Sequence, residues 1–311
     1  MLSRYCRFGL SAALLYKEMA DGPLGHLAGF SKAAALKDYE VLETSLCDDP
    51  NIRKEELKIA REEGKSISYN IPVDIQVPGA YNPCSFDIKE RKNAAAFVKR
   101  HIDYAKEAGC GWVLLTSGPD YQRDRREEEK DNLAEFYAEI GPYAERNGII
   151  ICIEPTERER FKKQLLGPTV ECVDFVKRLH GMKECGCVYL MIDTAHYPLM
   201  EEDALEGLRM MRQVGGAKYV HVGNAVMDPS SIFYGHTHPP VGLQGGLVDY
   251  KELSGFFMAL FEVGYLKRDV AWDNRPCVSY EMKPYPGVPE ELSAAFAYAK
   301  ANSAMELALY G

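Results

Sequence analysis

From about residue 39 the chain alternates short apolar runs with longer amphipathic stretches, the pattern of βα units wound around a parallel sheet. With one earlier run, strands are expected over Tyr5–Gly9, Tyr39–Ser45, Ile67–Ile71, Trp112–Ser117, Ile149–Glu154, Val188–Asp193, Tyr219–Val222 and Cys277–Glu281. A repeat of roughly 35 residues favours closure into a barrel over an open, doubly wound sheet. An open dinucleotide-binding sheet needs a glycine-rich phosphate turn after an early strand, and Gly9-Leu-Ser-Ala-Ala-Leu does not supply one. The expected fold is therefore α/β, a single (β/α)8 barrel domain over residues 1–311.

Helix boundaries follow from capping chemistry and periodicity. Asp87 is placed to cap a helix whose apolar face is Ala94, Phe97, Val98 and Ala105, and Gly109 is placed to end it. Leu133, Phe136, Tyr137 and Ile140 form a second stripe that stops at Asn147-Gly148. Thr169, after Pro168, is expected to cap a third helix with Val170, Val173 and Val176 inward, whereas the first helix is poorly defined. Two segments read as loops over a site: an insert at about 224–249, rich in Gly, Pro and His, and the charged stretch Arg158–Pro168 with Lys162 and Lys163. The charge run Arg123–Lys130 reads as a solvated helix start.

With 46 acidic against 37 basic residues the net charge is -9, which argues against sustained contact with nucleic acid or an anionic membrane surface. Small, neutral or metal-bridged partners fit better. The nine cysteines are odd in number and several lie inside apolar strands, so reduced, buried thiols are expected. Cys185 and Cys187 have no second pair at zinc-ribbon spacing and read as the approach to a strand. The opening residues place basic groups before an apolar stretch too short for a secretion signal, and a first strand accounts for them better. No segment has the length to span a bilayer, and the cytoplasm is the expected location.

Four of the apolar runs end in a polar side chain: Glu154 in Ile-Ile-Ile-Cys-Ile-Glu-Pro, Asp193 in Val-Tyr-Leu-Met-Ile-Asp-Thr-Ala-His, His221 in Tyr-Val-His-Val-Gly and Glu281 in Cys-Val-Ser-Tyr-Glu-Met. In a barrel the carboxyl ends of the strands converge on one mouth, so residues distant in sequence can share one ion. Three carboxylates there would repel one another without a cation between them. With one imidazole they form an N/O set suited to Mn²⁺, Mg²⁺, Co²⁺ or Zn²⁺. Such a cation grips the carbonyl and hydroxyl of a sugar and stabilises an enediolate, while Glu154 and Glu281, on opposite sides of the carbon chain, take and return a proton. Read singly, Asp193 before Thr194 also suits a helix N-cap, His221 a core histidine and Glu281 a partner for Lys283. A buried strand ending in Glu-Pro leaves Glu154 no capping role. Arg158 and Lys163 read either as solvated or paired charges or as substrate contacts, His236 and His238 either as exposed loop residues or as groups at the site, and Trp112 as a sugar platform.

Ile-Glu-Pro, Ile-Asp-Thr-Ala-His, Val-His-Val and Ser-Tyr-Glu, in this order, resemble the sugar phosphate isomerase/epimerase superfamily of xylose-isomerase-like TIM barrels. The resemblance implies that Glu154, Asp193, His221 and Glu281 bind a divalent metal, most often Mn²⁺, with the two glutamates as the acid/base pair and His196 touching substrate. It implies an isomerase or epimerase acting next to the carbonyl of a keto sugar. Ketose 3-epimerases of the superfamily generally carry an arginine six residues after the strand-seven histidine, where this chain has Met227. Abasic-site endonucleases of the same superfamily resemble the chain at Asp193-Thr-Ala-His196, His221 and His236-Thr-His238, but need further histidines on early strands, where Glu43, Asn70 and Ser117 stand.

The chain is also similar to the catalytic subunits of C-glycoside deglycosidases and to inosose dehydratases, in which the same proton abstraction runs on into elimination. That resemblance makes a lyase acting on an oxo-sugar the alternative, with His236 and His238 protonating the leaving group. It implies a hetero-oligomer with a small β-rich subunit; otherwise a homo-oligomer is expected. A third reading, a sugar- or metal-binding barrel without catalysis, has no use for both Glu154 and Glu281.

Overall fold

A computed structural model describes residues 1–77 and 79–311. Its strands are β1 (Arg7–Ser11), β2 (Val41–Thr44), β3 (Ser66–Asn70), β4 (Trp112–Leu115), β5 (Ile150–Ile153), β6 (Val188–Asp193), β7 (Ala217–Val222) and β8 (Cys277–Tyr280). They form one closed barrel in chain order. Seven of the eight expected strands overlap the observed ones with shifts of one or two residues at an end, and β6 has the expected bounds. Only β1 is displaced by two residues at both ends, because Leu2–Arg4 form a tight helical turn before it. Pairing then aligns Arg7 with Cys277. Apolar content alone does not set that register.

Contacts within the barrel divide it into two compact units. The first comprises Met1–Ser68, Asp193–Pro198 and Tyr219–Gly311. In it β1 lies parallel to β2 and to β8, with Gly9 opposite both Val41 and Ser279, and β7 pairs with β8 so that His221 is opposite Ser279. The register depends on a small residue at Gly9, where a Cβ would meet Ser279 Oγ at 2.3 Å and Val41 Cβ at 3.1 Å. The connection after β1 is broken into a short helix, Ala12–Leu15, and a longer one, Gly22–Ala34, which is why no single amphipathic pattern is readable there.

The insert after β7 is ordered from within by Asn224. Its side-chain amide donates to the Pro240 carbonyl at 3.0 Å, while its oxygen accepts from the Ala225 and Val248 amides at 2.9 and 2.8 Å. Asp249 ends the insert and caps the helix Tyr250–Glu262 in a reciprocal arrangement with Glu252.

The second unit comprises Tyr69–Ile192 and Leu199–Lys218, and in it β4 pairs with β3 and β5, and β5 with β6, all parallel. Asp87 caps the helix Ile88–Glu107 by accepting from the Lys89 amide at 2.8 Å, and the expected Ala94, Phe97, Val98 and Ala105 are buried. Leu133, Phe136, Tyr137 and Ile140 are likewise buried along Arg126–Arg146. The third helix, Thr169–His180, differs from expectation. Thr169 is its first residue rather than its cap, with Pro168 at the cap position and the Thr169 hydroxyl bonded to Glu202. Val173 and Val176 are inward, but Val170 is 54% exposed. At 100° per residue a three-residue step drifts by 60°, and the buried face runs instead through Cys172, Val173, Val176 and Leu179.

Trp112 also differs from expectation. It opens β4, at the amino end of the strand, whereas barrel sites are built at carboxyl ends, so it is not a sugar platform. None of the nine cysteines is in a disulfide and seven are buried, and burial pushes the Cys187 and Cys277 thiols up to about 11. Among the described residues, no helix is long and apolar enough to cross a membrane.

Candidate active site

Each of the four strand-end residues is placed by backbone pairing. Asp193 is the last residue of β6 and fully buried, and His221 lies near the end of β7 with 1% exposure. Glu281 follows β8, where its amide donates to the Val222 carbonyl at 3.0 Å, and its side chain keeps 15% exposure. In the other unit Glu154 follows β5, its amide donating to the Leu115 carbonyl at 2.9 Å, and is 8% exposed.

Asp193 serves two purposes. Its Oδ1 accepts from the Ala195 amide at 2.8 Å, so the turn-capping chemistry legible in Asp-Thr is real. Its Oδ2 faces imidazoles instead, 3.7 Å from His196 Nε2 and 3.9 Å from His238 Nδ1. Room for this carboxylate comes from Gly223, where a Cβ would stand 2.6 Å from Asp193 Oδ1. The neighbouring Thr194 hydroxyl donates to the Gly223 carbonyl at 2.7 Å and accepts from the Gly223 amide at 2.9 Å, tying the end of β6 to the end of β7.

His221 stands between two carboxylates. Its Nδ1 is 2.9 Å from Glu281 Oε2 and its Nε2 is 2.7 Å from Oε2 of Glu43, which is fully buried in β2. The Tyr219 ring meets the imidazole edge-on at 5.4 Å. Sequence reading noted Glu43 only as a strand-end residue that is not histidine. Its glutamate-before-loop position was the available signal, but nothing local links it to a residue 178 positions away.

His196, His236 and His238 come together. The rings of His196 and His236 stack at 4.7 Å and 12°, and His238 meets His236 edge-on, with their Nε2 atoms 3.1 Å apart. The expectation of exposed loop histidines does not hold for His238, which is 4% exposed, adopts a left-handed φ of 48° and accepts at its carbonyl from the Lys283 amide. Its Nε2 lies 3.8 Å from Glu281 Oε1, so the insert and β8 contribute to one cluster.

Arg158 and Lys163 are placed differently. The Arg158 guanidinium grips Glu171 in a fork, at 2.9 and 2.8 Å, the paired alternative of the two expected for it. Lys163 is exposed, with φ of 49°, and its carbonyl accepts from the Asp120 amide.

The donor chemistry fits a hard or borderline divalent cation. Within the first unit Asp193, His221 and Glu281 each offer one ligand atom, all within 4.8 Å of one another. Ligands on opposite sides of a cation with bonds of about 2.1 Å stand roughly 4.2 Å apart, so small side-chain adjustments suffice. Carboxylate oxygens with one imidazole nitrogen suit Mn²⁺, Mg²⁺, Co²⁺ or Zn²⁺ and disfavour soft, thiophilic ions.

A sequence model described as "Xylose isomerase-like TIM barrel" matches residues 30–267. No curated protein matches the chain by sequence. Among solved structures it is similar to D-psicose 3-epimerase with D-tagatose from Clostridium cellulolyticum H10, at 19% identity over 98% of each chain and a TM-score of 0.66. It is similar to a D-tagatose 3-epimerase-like protein at 18% identity, over 96% of this chain and 98% of that one, with a TM-score of 0.71. The 3-keto-D-glucoside 4-epimerase of E. coli, in its apo form, matches at 14% identity over 94% and 99%, with a TM-score of 0.66. At these identities the likeness concerns the fold.

Proposed function

Because the chain belongs to the xylose isomerase-like TIM barrel family, we propose that it is a divalent-metal-dependent isomerase or epimerase that takes a proton from the carbon beside the carbonyl of a keto sugar. The observation that carries this reading is the convergence of Asp193, His221 and Glu281 within 4.8 Å, with Glu154, at the end of β5, as the proposed fourth ligand. The sugar epimerases among the structural neighbours support the substrate class. Nine cysteines without a disulfide support a reducing compartment such as the cytoplasm.

When bound, the cation, Mn²⁺ first among the candidates, would polarise the sugar carbonyl and offset the charge that builds as the proton leaves. Glu154 and Glu281 are the pair that removes and returns that proton. Glu281 keeps a partly open side chain, as a group exchanging protons with a ligand requires, while Asp193 is closed off and fixed by the Ala195 amide as a pure ligand would be. His196, His236 and His238 line up beside them as donors or acceptors for sugar hydroxyls. The test is incubation with ketohexoses and Mn²⁺ in D₂O. Deuterium at the carbon next to the carbonyl, together with an epimeric or isomeric product and abolition by chelator, is expected. Absence of exchange with every ketose, or indifference to chelator, would remove the proposal.

A second reading, elimination from an oxo-glycoside, is favoured by a cleft of about 460 Å³ in the same unit as His238 and Glu281. Leu14, Leu15, Phe233 and Tyr285 give it apolar walls, and Lys17 and Lys283 line it with positive charge. Lys283 is two residues from Glu281 in the chain, and the cleft offers room for a bulky aglycone. Release of an aglycone from an oxo-glycoside, with no epimer formed, would select this reading over the first.

A further inference from the structure

The ring of His221 has two nitrogens and the fold has assigned each a different neighbour. Nε2 points to Glu43 at 2.7 Å and Nδ1 to Glu281 at 2.9 Å. An imidazole that ligates a cation must offer a lone pair, which a neutral ring has on only one nitrogen, the other carrying hydrogen. Glu281 and Asp193 stand among the candidate ligands, whereas Glu43 does not, so with a cation taking the lone pair of Nδ1 the ring keeps its proton on Nε2 and donates it to Glu43, which is acceptor-only when ionised.

We propose that Glu43 is a positioning residue, which holds His221 in the Nε2–H tautomer and at the ring angle that presents Nδ1 to a divalent cation. The inference rests on the metal-site reading above and deepens it, since the sequence expectations and the family resemblance assign Glu43 no role. Three features of the fold support it. Glu43 is completely buried, and a carboxylate is costly to bury without a partner that needs it. It stands opposite Ser11 in the pairing of β1 with β2, so its backbone is fixed by the same ladder that runs on to β8 and Glu281. The imidazole also meets the edge-on Tyr219 ring, whose hydroxyl pairs with Ser279 Oγ at 2.5 Å, so the ring angle that Glu43 sets is supported from a second side. Carboxylates that accept from the free nitrogen of a metal-bound histidine commonly change metal affinity 10- to 100-fold.

The test uses the full chain and Mn²⁺ itself. Free Mn²⁺ is followed by its electron paramagnetic resonance signal during titration of the wild type, Glu43→Gln and Glu43→Ala. The folded state of each apo protein is checked by circular dichroism. A loss of affinity of about 10-fold or more in folded Glu43→Gln is expected, with a larger loss in Glu43→Ala. In parallel, ¹⁵N-histidine NMR of the wild type loaded with diamagnetic Zn²⁺ or Mg²⁺ is expected to show His221, assigned through His221→Gln, protonated at Nε2 and not at Nδ1. This second arm needs no Glu43 variant and so stands even if those fail to fold. A folded Glu43→Gln binding Mn²⁺ within twofold of wild type, or a His221 ring protonated at Nδ1 alone, would overturn the role of Glu43. Wild type that binds no Mn²⁺, Mg²⁺, Co²⁺ or Zn²⁺ would instead sink the metal-site reading itself.

Discussion

Nδ1 of His221 and Oε2 of Glu281 lie 2.9 Å apart, although one belongs to β7 and the other follows β8. The contact follows from register, since His221 is opposite Ser279 and the Glu281 amide is bonded to the Val222 carbonyl. Glu281→Gln keeps the shape but removes both a charge for a cation and a proton acceptor. Turnover is expected to fall by about 10²- to 10⁴-fold, with weakened metal binding, measured by steady-state kinetics and by Mn²⁺ titration. Unchanged turnover would exclude Glu281 from the acid/base pair.

Gly223 is a second point of leverage on the same cluster. A methyl group there would sit 2.6 Å from Asp193 Oδ1 and 2.8 Å from Ala195 Cβ, and neither is the far end of a flexible chain. Gly223→Ala is expected to lower stability by about 1–3 kcal/mol, the usual cost of overpacking, and to displace the Asp193 carboxylate. Urea unfolding and Mn²⁺ titration together check this. A stable variant with native metal affinity would show that Asp193 does not depend on that space.

The alternation of apolar runs and amphipathic stretches carried the strand order, and the polar residue closing each run carried the cluster. Both are local patterns. Thr169 and Val170 were misplaced because Pro-Thr is ambiguous between cap and first turn, and because a three-residue spacing drifts around a helix. Glu43 and Gly223 were not legible as parts of the site, since their importance lies in what stands opposite them after the barrel closes. Arg158 was readable as paired or as ligand-binding, and its partner, Glu171 in the first turn of the next helix, is apparent only once the chain is folded.

That ion pair makes a pH-dependent contribution. Burial acts to raise the Glu171 carboxyl, but hydrogen bonds from Arg158 and Lys130 more than offset it and hold the group at about 2. The folded value lies below the unfolded value of about 4.3, so the stabilisation is complete above pH ~4.3 and is lost as pH falls through about 2. Glu171→Gln is expected to lower stability at pH 7 by about 1–2 kcal/mol, the side chains being only partly exposed, and by progressively less towards pH 3. Urea midpoints at pH 7, 4 and 3 measure the difference. Arg158→Met should show the neutral-pH loss with KM unchanged, whereas a raised KM with native stability would return Arg158 to the substrate.

The packing between β1 and β8 is tight enough to test by a double-mutant cycle. An alanine methyl at Gly9 would approach Ser279 Oγ to 2.3 Å, and that oxygen is held in place by its hydrogen bond with the Tyr219 hydroxyl. Gly9→Ala alone is therefore expected to cost about 1–3 kcal/mol, since the obstruction cannot swing aside. Ser279→Ala alone loses one buried hydrogen bond, about 1 kcal/mol. Combined, the two changes should be less damaging than their sum, because removing the hydroxyl opens the space that the new methyl fills, with a coupling of about 0.5–3 kcal/mol. Chemical denaturation of the four proteins gives the coupling directly. Strict additivity would mean that Val41 Cβ, 3.1 Å from the same position, is the true obstruction. The β1–β2 register rather than β1–β8 would then be what requires glycine at this point of the barrel.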